Sequence, residues 1–414
     1  SRLELGAFMK RARTDIDEFL TEDSDWTLGN REKSLQLQLY HRPVDGDWGL
    51  QLGLRHNETD RRSENPRQVP TQNRIDTRYL GKHQSVETRV DYYGLPGHEL
   101  SMIAQWRRDS LTTSGFSAYG SIFGDFVITE ATDSSTSSNS LALQEQWSGL
   151  RGESVTASVR LDDHDRFGSH ASWRLAGSLP FLQRRGRLHL SAGSGFKAPS
   201  LYELFGESPN NYGSAYRGNP DLQPETSRSI EAGVDYAFRA HGLTTGVTLY
   251  RTRIRDLIQV VYDPFFNSTS ENLARAEISG GEFHVAWRPL HNLAIRLDYS
   301  YTQARDGATR ARLVRRPRHK TDLAVDYSPS DRLSLWTQLQ HIGDRLDINP
   351  LFDPATPIIR PDDYLLIHVG ARYRLTDEME LFGRINNVTN RDYEPVAGYR
   401  GEGINGIVGV KITL

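Results

Sequence analysis

No cysteine occurs among the 414 residues, and only three methionines do. That absence rules out a disulfide scaffold, a thiol enzyme and any cysteine-ligated metal site. An excess of one charge is missing too. Lys and Arg number 50 against 53 Asp and Glu, a formal net charge of −3, so there is no basic footprint for nucleic acid. Long apolar runs are also absent. Mean hydropathy is −0.59, and no stretch approaches the roughly 20 apolar residues that a membrane helix needs. The first residues, SRLELGAFMK, hold no apolar signal region, so any export signal is expected outside this sequence. None of this excludes a membrane barrel, in which only every second strand residue meets lipid.

What the chain has instead is period-2 alternation. In LQLQLY, Leu35, Leu37 and Leu39 share one face, and Gln36, Gln38 and Tyr40 the other. In ESVTASVRL, Val155, Ala157, Val159 and Leu161 oppose Thr156, Ser158 and Arg160. SIEAGVDYAF repeats the pattern through Ile230, Ala232, Val234, Tyr236 and Phe238, and YLLIHVGARYRL through Leu365, Ile367, Val369, Ala371 and Tyr373. Alternation and turn signals together give about eighteen strands. One open twisted sheet rarely grows so large, and no self-similar repeat points to a propeller or solenoid.

The connections decide the architecture because they alternate in length. Short turns at 43–47, 94–98, 148–153, 182–186, 240–242, 289–292, 328–331 and 376–378 take turns with long loops. The loops fall at 13–30, 57–73, 111–137, 197–226, 263–272, 305–317, 343–361 and 390–403, and only 162–168 is short for its side. Such spacing predicts an all-β, transmembrane, antiparallel up-and-down β-barrel over residues 1–414, with short periplasmic turns and long extracellular loops. Closing the sheet on itself removes its edges, which matters inside lipid. The last strand agrees, with Val408, Val410, Ile412 and Leu414 on one face.

At FKAPSLYELFG (196–206), GNPDLQPETSRSIEAG (218–233) and INNVTNRDYEPV (385–396) the chain resembles the barrel of TonB-dependent outer-membrane receptors. RLDDHDRFGSHASWRLAGSLPF, YRTRIRDLIQVV, ARAEISGGEF and LVRRPRHK carry the likeness along the chain in family order. The spacing is most like the cobalamin and ferric-siderophore receptor branch, and the likeness is weaker before about Ser148. The resemblance implies a monomer in the outer membrane of a Gram-negative bacterium, surrounded by lipid and lipopolysaccharide. It also implies insertion by the outer-membrane assembly machinery through a C-terminal strand, although Leu414 stands where most barrels end in Phe or Trp. No catalytic residue, resident cofactor or metal ligand is expected among the candidates. Two departures stand out. Nothing corresponds to the family's plug domain and TonB box, so TonB would act only through a plug that this sequence does not contain. The family barrel has about twenty-two strands, whereas Ser1 aligns near the third and a hairpin is expected to be missing near 120–137. A chain short of its first strands and a barrel without a plug both fit.

Ligand capture is expected at the outer loops. Tyr202, Phe205, Tyr212, Tyr216, Tyr262, Phe265, Phe266, Tyr393 and Tyr399, with Arg217 and Arg400, are the candidate contacts for a siderophore or corrinoid. Flat rings contribute large contact areas at low entropy cost; the plainer role for the same rings is an interfacial girdle or loop packing. Residues 207–217, between the two best family motifs, are where specificity is expected. His164 within DDHD looks superficially like a metal cluster, but Asp and His equally suit a wet turn.

The resemblance places a calcium site of cobalamin receptors in the early loops. Here 56–76 sets Glu58, Asp60, Glu64 and Asp76 against Arg61, Arg62, Arg67 and Arg74, which favours an anionic ferric siderophore over cobalamin. Residues 14–25 are more acidic, as solvated loops often are. The basic run Arg315, Arg316, Arg318, His319 and Lys320 suits either lipopolysaccharide phosphates or simple solvation. The rival function is a plugless passive diffusion channel. An outer-membrane enzyme is a third, for which no catalytic set is assembled.

Overall fold

The computed structural model describes residues 1–15, 26–66, 74–119, 126–209, 215–263, 267–349 and 355–413. The wall begins with β1 (Arg2–Asp15), β2 (Thr27–His41), β3 (Trp48–Asn65), β4 (Arg74–Tyr92), β5 (His98–Tyr119) and β6 (Phe126–Ser148). It continues through β7 (Ser154–His164), β8 (Gly168–Phe181) and β9 (Gly186–Lys197). A loop carrying α1 (Leu201–Phe205), β10 (Glu207–Pro209) and β11 (Ala215–Arg217) follows. The wall then resumes with β12 (Glu225–Phe238), β13 (Leu243–Tyr262), β14 (Ser268–Leu290), β15 (Leu293–Asp306), β16 (His319–Tyr327) and β17 (Leu333–Ile342). After the two-residue strands β18 (Asp347–Ile348) and β19 (Ile358–Ile359) come β20 (Tyr364–Arg374), β21 (Met379–Asn386) and β22 (Asn405–Ile412). Leaving out β10, β11, β18 and β19, the wall has eighteen strands among the described residues. From β2 onward each pairs antiparallel with the wall strand before it, as the alternating connections predict.

The register puts every apolar set on one face. Leu143 lies opposite Val159, Val159 opposite Trp173, and Ala157 opposite Leu175. Leu175 then faces Ala192, and Ala192 faces Ile230. A one-residue slip anywhere would turn a whole strand inside out. These side chains are open rather than packed: Leu143 is 52% exposed, Leu175 51% and Leu249 62%. An apolar band of that extent is stable only against lipid. On the other face, Ser158 lies opposite Arg174 and Arg160 opposite Ser172, a polar lumen wall. No described helix is long and apolar enough to cross a membrane.

Two expectations change. The stretch 111–137 is not a loop replacing a lost hairpin: β5 and β6 stay paired from His98↔Trp147 up to Tyr119↔Phe126. Their 22 and 23 residues far exceed the roughly 9–11 that span the bilayer, so the outer halves stand above the membrane as vestibule wall. For the same reason β1, β2, β3 and β4 take up much of the first two expected loops. At the ends of the wall, among the described residues, β1 pairs with β2 and β22 with β21.

The upper part of β5 turns on one glycine. Gly115 has φ +133° opposite Thr77, and a Cβ there would run into the Asp76 carbonyl oxygen. Gly115→Ala is expected to destabilise the vestibule wall by about 1–3 kcal/mol, from backbone strain and the displaced ladder. Hydrogen exchange of the 74–80 amides should rise while that of 84–92 stays unchanged.

Candidate functional site

The best-packed part of the molecule is not in the wall. The largest fully buried apolar side chains among the described residues, Leu204 and Leu222, belong to the loop between β9 and β12. Its fold follows from local chemistry. Ser200 caps α1 by accepting from the Glu203 amide, and the Glu203 carboxylate accepts from the Ser200 amide at 2.7 Å, a reciprocal capping box. The Gly218 amide donates to the Gly206 carbonyl and the Asn219 amide to the Glu203 carbonyl, which ties the return strand to the helix.

Tertiary bonds then hold this loop across the mouth. On one side the Tyr79 hydroxyl donates to the Glu207 carbonyl and the Thr132 hydroxyl to the Phe205 carbonyl. On the other, β11 pairs parallel with the start of β14. There the Tyr216 and Ser270 hydroxyls lie 2.8 Å apart, and Asn219 donates to the Ser270 carbonyl. Tyr202 stacks on Tyr216 with centroids 5.1 Å apart and planes 4° apart, and Tyr79 meets Tyr202 edge-on. Arg166 lies over the Phe205 ring and donates to the Pro220 carbonyl. Burial pushes the Tyr216 phenol above its ordinary pKa. The loop is therefore a strut between β4–β6 and β14.

Beneath the strut is a cavity of about 450 Å³, walled by lumen positions of β3–β6 and roofed by 198–202. His83 and Asp109 lie 2.7 Å apart there, and Arg107 Nε is 3.1 Å from the same carboxylate. Asn57, Thr59 and Thr136 add hydroxyl and amide groups, while Lys82, opposite Glu58 of β3, presents its side chain to the other face of the sheet. The cavity thus offers cationic and hydrogen-bonding groups around one carboxylate that is already shared. A larger hollow of about 610 Å³ among Val90, Met102, Leu143 and Val159 opens on the apolar outer face, where acyl chains lie.

The structure brings together Tyr202, Phe205 and Tyr216, as strut rings, and only Tyr202 also lines the cavity. Arg217 is exposed. Tyr262, 48% exposed, ends β13. Tyr393 packs on Tyr364 at 4.8 Å, Tyr399 is open to solvent, and Arg400 pairs with Asp392 at 3.3 Å, all in the last outer loop. Tyr212, Phe265 and Phe266 lie outside the described residues.

The DDHD carboxylates fan apart. Asp162 pairs with Arg160, Asp163 accepts from Ser169 and Asp165 from Ser137. His164 is buried and accepts from the Arg166 amide. No described group of three or more His, Asp or Glu is placed to hold a metal ion. In the early loops Asp60 pairs with Arg78, and Arg62 with Glu64 and Asp76. Residues 16–25 lie outside the description.

The cavity residues were not singled out from the sequence. His83, Arg107 and Asp109 sit on strands, where they look like any polar face. The Ser200–Glu203 spacing was the one local signal that a compact element interrupts the long loop.

Comparison with known proteins agrees with this geometry. The model of the family described as TonB dependent receptor-like, beta-barrel, matches residues 6–388. The vitamin B12 transporter BtuB of Vibrio vulnificus is 29% identical over 258 residues, 60% of this chain and 38% of that protein. The vitamin B12 transporter BtuB of Photobacterium profundum is 26% identical over 309 residues, 72% and 44%. The chain thus spans less than half the length of these relatives. Among solved structures, the copper transporter OprC superposes with a TM-score of 0.74 at 13% identity, covering 94% of this chain and 66% of that one. The ferripyoverdine receptor of Pseudomonas aeruginosa gives 0.74 at 14%, covering 99% and 62%. At such identities these two show the fold.

Proposed function

The chain belongs to the TonB-dependent receptor-like β-barrel family, and on that premise we propose that it captures a scarce metal-chelate nutrient in the outer membrane of a Gram-negative bacterium. A ferric siderophore or cobalamin is the cargo class. The observation that carries the proposal is the polar cavity under the strut, set at the outer end of the lumen. Relatives named as vitamin B12 transporters support a corrinoid. The chemistry of the cavity supports an anionic ferric siderophore, because Asp109 is already shared by Arg107 and His83 and the early acidic residues are engaged by arginine. Release inward would require the TonB system acting on a plug domain, with lipopolysaccharide around the outer rim. The relatives are transporters and receptors rather than enzymes.

An open diffusion channel is the weaker reading, since the strut narrows the mouth on both sides. Calorimetry on the purified protein, with a ferric tris-catecholate, a ferric trihydroxamate and cyanocobalamin as probes, tests the proposal. Saturable binding of one of them is expected, weakened about tenfold or more by Arg107→Glu, the size of one lost charge-assisted hydrogen bond. Absence of binding by all three would sink it.

A further inference from the structure

A second polar hollow, of about 290 Å³, lies on the lumen face where β17, β20, β21 and β22 run side by side. Its floor is an indole. Trp336 lies opposite Gly370, and any Cβ on Gly370 would collide with the ring. The glycine therefore lets the indole lie flat along the wall, one face on the backbone and the other toward the lumen. Tyr393, from the last outer loop, supplies a second ring at the rim.

Around the indole stand planar groups that both donate and accept. The His368 ring nitrogen lies 3.3 Å from the Asn386 carbonyl oxygen, and Asn386 donates to the Asn405 side chain at 2.7 Å. Asn405 in turn donates to the Glu402 carboxylate at 3.1 Å. The chain of bonds fixes each amide's orientation, so these groups are preorganised. Among the described residues the Trp336 indole N–H, the Gln338 amide and the Arg384 guanidinium have no hydrogen-bond or ionic partner.

From this arrangement we infer that the hollow binds a saccharide. A pyranose ring has an apolar face of C–H groups that suits a flat indole. Its rim of hydroxyls, each donor and acceptor, suits amides, a carboxylate and a guanidinium in one plane. A phosphate or a simple carboxylate would use Arg384 alone and leave the indole bare. A purely apolar ligand would strip water from the Gln338 amide and the Arg384 guanidinium without replacing it. The inference does not depend on which chelate the outer cavity takes, because the two hollows share no lining residue.

Saturation-transfer NMR on the whole protein in an amine-oxide detergent tests it; maltoside detergents are avoided because their headgroups would compete. The probes are glucose, galactose and N-acetylglucosamine. At least one should bind saturably, about tenfold more weakly in Gln338→Ala or Arg384→Ala, the equivalent of one hydrogen bond to the ligand. Trp336→Ala should abolish binding, and Gln144→Ala, on the lumen face of β6, should leave it unchanged. Gln338 and Arg384 are exposed and unpartnered, so their variants should fold normally, which urea-unfolding midpoints would check. Absence of saturable binding by all three sugars overturns the inference. So does sugar binding that ignores all three substitutions, or binding of inorganic phosphate without sugar.

Discussion

Asp347→Ala is expected to loosen three outer loops at once and to cost about 2–3 kcal/mol, the scale of a buried charge-assisted network losing its acceptor. Asp347 is fully buried. One carboxylate oxygen accepts from Arg315 Nε at 2.7 Å and from the Ile348 amide at 2.8 Å. The other accepts from the Ala397 amide at 3.0 Å. The carboxylate thereby joins the loops after β15, β17 and β21. Arg345, also buried, reinforces the same joint by donating to the Asp362 and Glu394 carbonyls.

Burial alone would raise the Asp347 pKa, but the Ala397 amide, the Arg315 guanidinium and the Ile348 amide together hold it below the ordinary carboxylate value. A lowered folded-state pKa means the stabilisation is fully present above the unfolded-state value. It is lost as pH falls through the lowered one. Limited proteolysis should therefore cut 307–318 and 387–403 faster in the variant at neutral pH, and the difference from wild type should shrink in acid. Equal cleavage of both proteins at neutral pH would show that Asp347 does not hold these loops. The basic run from Arg315 to Lys320 finds much of its role here: Arg315 goes to Asp347, Arg318 lies 3.8 Å from Asp344, and Lys320 pairs with Asp322.

Leu175→Arg should be far costlier in lipid than an arginine placed on the lumen face. Leu175 sits mid-wall on the apolar face, between Ala157 and Ala192. An arginine near the bilayer midplane of a barrel costs about 2–4 kcal/mol. Ser158→Arg, one position along β7 on the lumen face, should change stability by only a few tenths of a kcal/mol, because its side chain enters water. Urea titration of both variants folded into phosphatidylcholine vesicles measures the difference. Equal costs, or a larger cost for Ser158→Arg, would contradict the assignment of the two faces.

The same contrast explains what could be read from the residues. Where lipid demands an apolar side chain at every second position, as in Val155 to Leu161 or Leu365 to Tyr373, strand, face and register were all legible. Above the membrane that demand ends. The TDSSTSSNS run of β6 keeps its backbone pairing with β5 but has no apolar face to advertise it, so it looked like a loop. The aromatic loop was legible as unusual, but not as a strut. The Tyr216–Ser270 contact and the parallel pairing of β11 with β14 join segments more than fifty positions apart, and no local pattern encodes them. His83 and Asp109 were hidden for the opposite reason: polar residues on a polar face carry no mark until the roof above them is known.

The absence of cysteine gives the most direct test of the central claim, that ligand enters the cavity beneath the strut. A single Thr136→Cys label, opposite Asp109, places an environment-sensitive fluorophore on the cavity wall. A Val159→Cys label places the same probe on the lipid face, where Val159 is 45% exposed. Titrating each labelled protein with the ferric tris-catecholate, the ferric trihydroxamate and cyanocobalamin should give a saturable change at position 136 for one of them and none at 159. No change at 136 with any of the three, or equal changes at both positions, would contradict the account.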